Sequence, residues 1–445
     1  MLSSATSLTS LSVRAPDPLQ MFKLSGLRAT DHRFRLPLDH AVPEGPTIEV
    51  CAREFVAPGP GAETRPWLVF LQGGPGFESP RPTAKEGWIG YAAERYRVLA
   101  LDQRGTGLST PHTTRSLLEL GSTAAQVEHL RHFRADSIVK DCEAIRCQLL
   151  GEQERWTVLG QSFGGFCVTT YLSIAPEGLA GAMITGGLPG LGNHADEVYR
   201  RTFPRTASKN AKMHRQFPEL SDLMVRVFRR AAEGDVKLPC GDPLSQRRIQ
   251  TIGAQLGFSY GAPQIFYLFE RAFVPGTDEL SITFLRGIEN LQSFDTNPFY
   301  ALLHEACYAQ GRSTDWSAER VRADHAEFDA RASLDRSEAP LLTGEMIFPW
   351  MFDEWTELRP LKPAAEALAK ASNWPLLYDE AQLANNEVPV SAVVYHDDMF
   401  VPADLSLETA KKIRGLHPWV TNEYEHDGLR ADGPRILSKL LESLT

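Results

Sequence analysis

The sequence has little of what would tie it to nucleic acid or to a membrane. Its 445 residues carry 46 Lys and Arg against 56 Asp and Glu, a formal net charge of −10, so no basic excess is present to meet phosphate or anionic lipid. No window approaches the roughly 20 apolar residues needed to cross a bilayer. Cysteines are few: Cys51, Cys142, Cys147, Cys167, Cys240 and Cys307 are scattered, with no CxxC pair and no regular framework. That scatter excludes a disulfide scaffold and reads as reduced thiols of a cytoplasmic protein. There is no HExxH helix or comparable ligand cluster, so neither metal nor cofactor is expected. Residues 1–20 lack the basic start and apolar stretch of a secretory signal. They read as a disordered extension upstream of a true start at Met21, and the extension is set to end at residue 24.

What is present is ordinary globular material, 42% hydrophobic and 23% charged. The chain is long enough for one large domain with an insertion, or for two domains. Residues 48–56 alternate Val50 and Ala52 with Glu49 and Arg53, the pattern of an antiparallel strand with one wet face. Residues 67–71, 98–101, 157–159, 182–185 and 390–395 are short apolar runs, as parallel strands covered on both faces are. A helix is expected between the second and third of these. Asp136 or Ser137 would cap it, Ile138, Cys142, Ile145 and Leu149 make one stripe, and Gly151 ends it.

Alternating strand and helix predicts the α/β class, with a mostly parallel, doubly wound sheet. The rhythm stops after GGLPGLG (186–192) and returns near Pro389. Between them, charge-rich amphipathic stretches such as LSDLMVRVFRRAAEG and LKPAAEALAKAS read as helices. The expected division is a core at 25–190, a helical cap at 191–385 and the rest of the core at 386–445, closed by the amphipathic RILSKLLESL.

Ser162 stands in Gly-Gln-Ser-Phe-Gly, between a predicted strand and a predicted helix, the context of a nucleophile elbow. Gly160 and Gly164 on either side permit a sharper turn than a Cβ allows. A serine hydroxyl is a poor nucleophile until a base takes its proton, so an acid and then a histidine must follow in the chain. Asp398, in HDDMFVP at the end of the strand VSAVVY, and His426, in YEHDGLR, satisfy that order. Asp397 is the rival acid, and strand alternation does not decide between them. Acyl transfer also needs N–H donors for the oxyanion. One is expected from Phe163; the other from LQGGPGFESP, where Gly73 and Gly74 let the backbone approach the substrate closely.

These motifs carry a resemblance. LQGGPG resembles the HGGPG loop of the proline iminopeptidases, a family of the α/β-hydrolase superfamily; LDQRGTGLS (101–109) resembles their DQRGxGxS segment, and GQSFGG is similar to their GxSxGG elbow. YEHDGLRADG resembles the histidine loop of the longer members. The resemblance implies a serine peptidase that releases N-terminal proline from short peptides through an acyl-enzyme, with no cofactor, and leaves homo-oligomerisation open. Gln72 is a departure, standing where histidine is usual; altered loop packing is expected rather than lost activity. Arg104 and Asp102 are expected to hold their loop by ion pairing.

An ammonium drawn from water needs paired charge. The family's use of two cap glutamates implies Glu305, in ALLHEACYAQG, and Glu270, in YLFERAF, with Glu345, in TGEMIFPW, in reserve. Tyr308, Phe269 and Trp316 are candidates for an apolar wall around a pyrrolidine ring. Cys307 lies two residues from Glu305, where a thiol reagent would block the pocket without the thiol being catalytic. The competing readings are an esterase or a peptidase for other N-terminal residues on the same scaffold, and a binding protein that has lost catalysis.

Overall fold

The apolar runs of the sequence pair into a single sheet in the computed structural model, which describes residues 21–292 and 294–444. Its strands are β1 (Met21–Leu24), β2 (Leu27–Pro37), β3 (Thr47–Val56), β4 (Trp67–Leu71), β5 (Arg97–Leu101), β6 (Trp156–Gln161), β7 (Leu179–Thr185), β8 (Val390–Tyr395) and β9 (Trp419–Thr421). The spatial order is β1-β2-β3-β5-β4-β6-β7-β8-β9. Pairing is antiparallel from β1 to β5 and parallel from β5 through β9.

Alternation along the parallel strands sends successive side chains to opposite faces. Val69, Leu71, Val158 and Ile184 pack on one side with Ile138, Cys142 and Ile145 of the helix Ala135–Leu150. Leu68, Phe70, Leu159 and Met183 pack on the other with Trp88 and with Ile436, Leu437 and Leu440 of the closing helix Gly433–Glu442. Helices therefore cover both faces, and the strands read as continuous apolar runs because both faces are dry. Between β7 and β8 every named element is a helix or a 3₁₀ turn. We call this stretch the insertion. Part of it has its own core, where Phe299, Leu302, Phe348 and Trp355 meet.

Three expectations change. Met21–Leu24 is not a disordered tail but an edge strand, paired antiparallel with β2; the rest of the expected extension, residues 1–20, lies outside the described residues. Neither β2 nor the short β9 was expected. The helix expected to be capped by Asp136 or Ser137 starts at Ala135 after Arg134, which makes no side-chain cap; Asp136 lies in its first turn, where its charge suits the helix dipole. The helix does end at Gly151, whose φ of 95° is a conformation glycine adopts freely. Among the described residues no helix is long and apolar enough to cross a membrane.

Candidate active site

β4 and β6 are parallel neighbours, with Leu71 beside Gly160, yet their chains leave in opposite directions, to β5 on one side and to β7 on the other. A crevice opens at the carboxyl ends of strands where the order reverses in this way. The segments after β4, β6, β8 and β9 carry Gly73 and Gly74, Ser162, Asp398 and His426. Topology thus brings to one end of the sheet residues that are far apart in the chain.

Ser162 joins β6 to the helix Phe163–Ile174 with φ 55° and ψ −125°, a conformation that costs a non-glycine residue on the order of 1–3 kcal/mol. Its N–H donates to Thr185 O at 3.0 Å and its carbonyl accepts from Gly165 N at 2.7 Å, which helps hold the strained turn. The two motif glycines serve close approach. A Cβ on Gly164 would lie 1.9 Å from Leu71 O, and one on Gly160 would lie 2.2 Å from Gly164 O. The left-handed φ falls on the serine itself.

Asp398, not Asp397, meets the histidine. Its Oδ2 lies 2.6 Å from His426 Nδ1, with the two side chains 1% and 4% exposed, whereas Asp397 is 55% exposed and pairs with His396. Asp398 Oδ1 accepts the N–H groups of Phe400 at 2.8 Å and Val401 at 3.0 Å, which fixes the carboxylate. Burial alone would lower the pKa of His426. The charge and hydrogen bond of Asp398, with added fields from Glu345 and Asp427, outweigh burial and hold the imidazole above its ordinary value. The Phe400 ring stands edge-on to the imidazole, centroids 4.9 Å apart.

Residues 185–187 link this pair to the serine. Thr185 O accepts from Ser162 N, a Cβ on Gly187 would lie 2.3 Å from Ser162 O, and one on Gly186 would lie 3.3 Å from His426 Nδ1. Among the described residues no hydrogen bond joins Ser162 Oγ to the imidazole. Bonds of this type are commonly long without substrate and tighten in the complex.

Across the crevice a Cβ on Gly73 would lie 2.9 Å from Ser162 Cβ, so the loop after β4 presses on the nucleophile's side chain. Gly74 has φ 130°, and Phe163 opens its helix, where the first N–H groups have no intrahelical acceptor. The half-buried Gln72 uses its carbonyl to accept from Gln103 Nε2 at 3.1 Å. The expected Arg104–Asp102 pair does not form. Arg104 is fully buried and clasps Asp141 through Nε at 2.7 Å and Nη2 at 2.6 Å, whereas Asp102 pairs with Arg81 and accepts the N–H groups of Ser79 and Leu108. Both residues hold the loops, through different partners.

The three carboxylates proposed for the insertion have different surroundings. Glu305 is buried, and its two oxygens accept Ser317 N at 3.2 Å and Ala318 N at 2.9 Å, at the start of the helix Ser317–Arg322. Burial is the main reason its pKa is raised. A small cavity beside it is lined by Leu302, Ala306, Thr314 and Trp316, and by no residue of the Ser162 crevice. Glu270 is the exposed last residue of the helix Gly261–Glu270, with no bond or ion pair to any residue of the crevice among the described residues. Glu345 is half-buried, accepts from Tyr300 Oη at 2.6 Å and acts on His426 by its charge.

Tyr308 packs edge-on to Phe166, four residues after Ser162 in the chain, with centroids 5.8 Å apart. Phe269 is wholly buried against Phe284 and belongs to the insertion's packing, not to a substrate wall. The Cys307 thiol is buried and donates to His304 O at 2.8 Å, and burial pushes its pKa well up, so it is protonated and shielded. Away from the crevice, ligand atoms of Cys240, Asp242 and Asp295 come within 4.8 Å of one another, a grouping not seen in the sequence. There Asp242 is already bound by Arg248 and Thr356, so a cation would compete with a guanidinium.

Residues 66–223 match the model of the alpha/beta hydrolase fold family. A proline iminopeptidase of Aeromonas sobria is 45% identical over 94% of this chain and 97% of its own length. This chain belongs to the proline iminopeptidase family. A second relative, a proline iminopeptidase of Aspergillus aculeatus, is 36% identical over 93% of each chain. The solved proline iminopeptidase of Mycobacterium smegmatis aligns over 93% of this chain and 98% of that one, with 14% identity and a TM-score of 0.42. The assignment rests on the two sequence relatives.

Sequence reasoning missed the contacts made by Arg205, Lys209 and Ser259 to the loops of Asp398 and His426. No local pattern marks them, because their partners lie more than 150 residues away.

Proposed function

We propose that the chain is a serine aminopeptidase that releases N-terminal proline from short peptides. The observation that carries this reading is the 2.6 Å bond between buried Asp398 and His426, set at the same end of the sheet as a strained serine elbow. His426 Nε2 takes the proton of Ser162 Oγ as the oxygen attacks the prolyl carbonyl carbon. The N–H groups of Phe163 and of the Gly73–Gly74 loop receive the oxyanion. Collapse of the tetrahedral intermediate breaks the amide bond, and His426 delivers its proton to the leaving amine. A water molecule, deprotonated by the same imidazole, then cleaves the prolyl ester and frees proline. Asp398 keeps Nδ1 protonated and steadies the imidazolium that forms in each half.

The substrate's ammonium requires a carboxylate, and Glu345 suits it best. It is half-buried, ordered by Tyr300, and already acts electrostatically on the catalytic imidazole. Each oxygen of Glu305 accepts a backbone N–H of a helix terminus, which makes it a support for the wall instead. Glu270 is left without a part in binding. Tyr308 supplies apolar surface above the serine's helix.

A substrate panel tests the reading: prolyl, alanyl and N-acetylprolyl arylamides beside a simple ester. The prolyl arylamide should turn over fastest, and blocking its nitrogen should abolish cleavage. Turnover of the ester alone, or equal turnover of the blocked and free arylamides, would contradict an aminopeptidase.

A further inference from the structure

The elements that carry the acid and the base are not fixed by the sheet alone. One helix of the insertion, Ala195–Gln216, reaches both loops. Arg205 Nη1 donates to His396 O at 2.8 Å and to Asp398 O at 3.3 Å, which ties the backbone of the acid's loop to the helix. One turn on, the buried Lys209 pairs with Glu425, the residue before His426, and Lys212 approaches the same carboxylate at 3.3 Å. A separate segment of the insertion completes the grip. Gly257 O accepts His426 N at 3.0 Å, and Ser259 donates to the buried Asp427 through Oγ at 2.7 Å and through its N–H at 3.1 Å. Residues 425, 426 and 427 are therefore each tied to the insertion by a polar contact.

We infer that Arg205, Lys209 and Ser259 are positioning residues, through which the helical insertion sets the aim of the Asp398–His426 pair at Ser162. This rests on the triad reading above. None of the three touches a reacting atom; each acts through the loop it holds. An imidazole displaced by about 1 Å can cost on the order of 100-fold in rate, so such a grip has kinetic consequences without contributing to substrate binding.

The test measures kcat and KM per active site, with sites counted by a serine-directed phosphonate, for Lys209→Met, Lys209→Arg and Ser259→Ala in the full chain. Lys209→Met should lower kcat per labelled site about 10- to 100-fold with KM within about twofold, and Lys209→Arg should restore most of it. Ser259→Ala, which keeps the backbone N–H donor, should lower kcat per site about threefold to tenfold. Adding Glu425→Gln to Lys209→Met should cost less than the sum of the two single changes, because the Lys209 pair is already broken and only the longer Lys212 contact remains to be lost. If the variants lose labelled sites but keep kcat per site, the contacts are merely structural and the inference is overturned. It is equally overturned if Lys209→Met stays within twofold of the parent. Ser162→Ala, assayed in parallel, separates the two claims: full turnover by that variant would remove the triad itself.

Discussion

Ser162 and His426 reach the same crevice by opposite means. The serine is set largely by exclusion: glycines at 160, 164 and 187 leave no room for a Cβ, and backbone presses on backbone from Leu71 to Gly165. The histidine is set by attraction, through Asp398, Gly257 O and the ion pairs and hydrogen bonds of the insertion on either side of it. Close backbone packing is stiff and tolerates no added atom. A polar grip is adjustable and depends on each partner's charge. The two halves should accordingly fail in different ways when altered: the serine side by losing the fold, the histidine side by losing rate while the fold stays.

The largest effect should come from Asp398→Asn. It keeps an oxygen for the N–H groups of Phe400 and Val401 but presents the wrong hydrogen-bonding partner to His426, and kcat should drop by about 10⁴ with little change in melting temperature. Next comes Gly164→Ala on the opposite wall. Its new methyl would meet the Leu71 carbonyl at 1.9 Å, so a loss of about 3 kcal/mol in urea unfolding is expected, at the top of the usual range for overpacking. If Gly164→Ala folded with unchanged stability, the contrast between the two halves would break.

Smaller effects sharpen the contrast within the insertion. Glu345 raises the pKa of His426, and removing its charge disfavours the imidazolium. In Glu345→Gln the acid limb of Ser162 labelling by a neutral phosphonate should therefore move to lower pH, because the free base survives further down the scale. A shift to higher pH, or none, would remove Glu345 from the electrostatics of the site. Glu270→Gln should be the least consequential change. An exposed helix-end carboxylate should alter stability by no more than about 0.5 kcal/mol, and prolyl arylamide turnover should not change.

The serine half was legible in the sequence because its determinants are local. GQSFG, the apolar run before it and the Gly-rich loop after β4 each signal their structure within ten residues. The parallel strands were legible for the same reason: burial on both faces writes itself as a continuous apolar run. Asp398 and His426 could be named from chain order, with Asp397 as a rival; what separates the two aspartates is the loop after β8, whose turn no periodicity encodes. Arg104 illustrates the limit. Its neighbour Asp102 looked like a partner, yet the fold supplies Asp141, a carboxylate nearly two turns into a helix more than 30 residues on. Glu305 and Glu345 carried similar apolar surroundings in sequence, and only the position of the helix Ser317–Arg322 shows which of them holds backbone N–H groups.

The account stands most directly on the acyl-enzyme. Rapid acid quench of the protein during turnover of a prolyl arylamide, followed by peptide mass mapping, should find one prolyl group esterified to Ser162, and none in His426→Ala. An acyl group on a different residue, or undiminished turnover by Ser162→Ala, would contradict it.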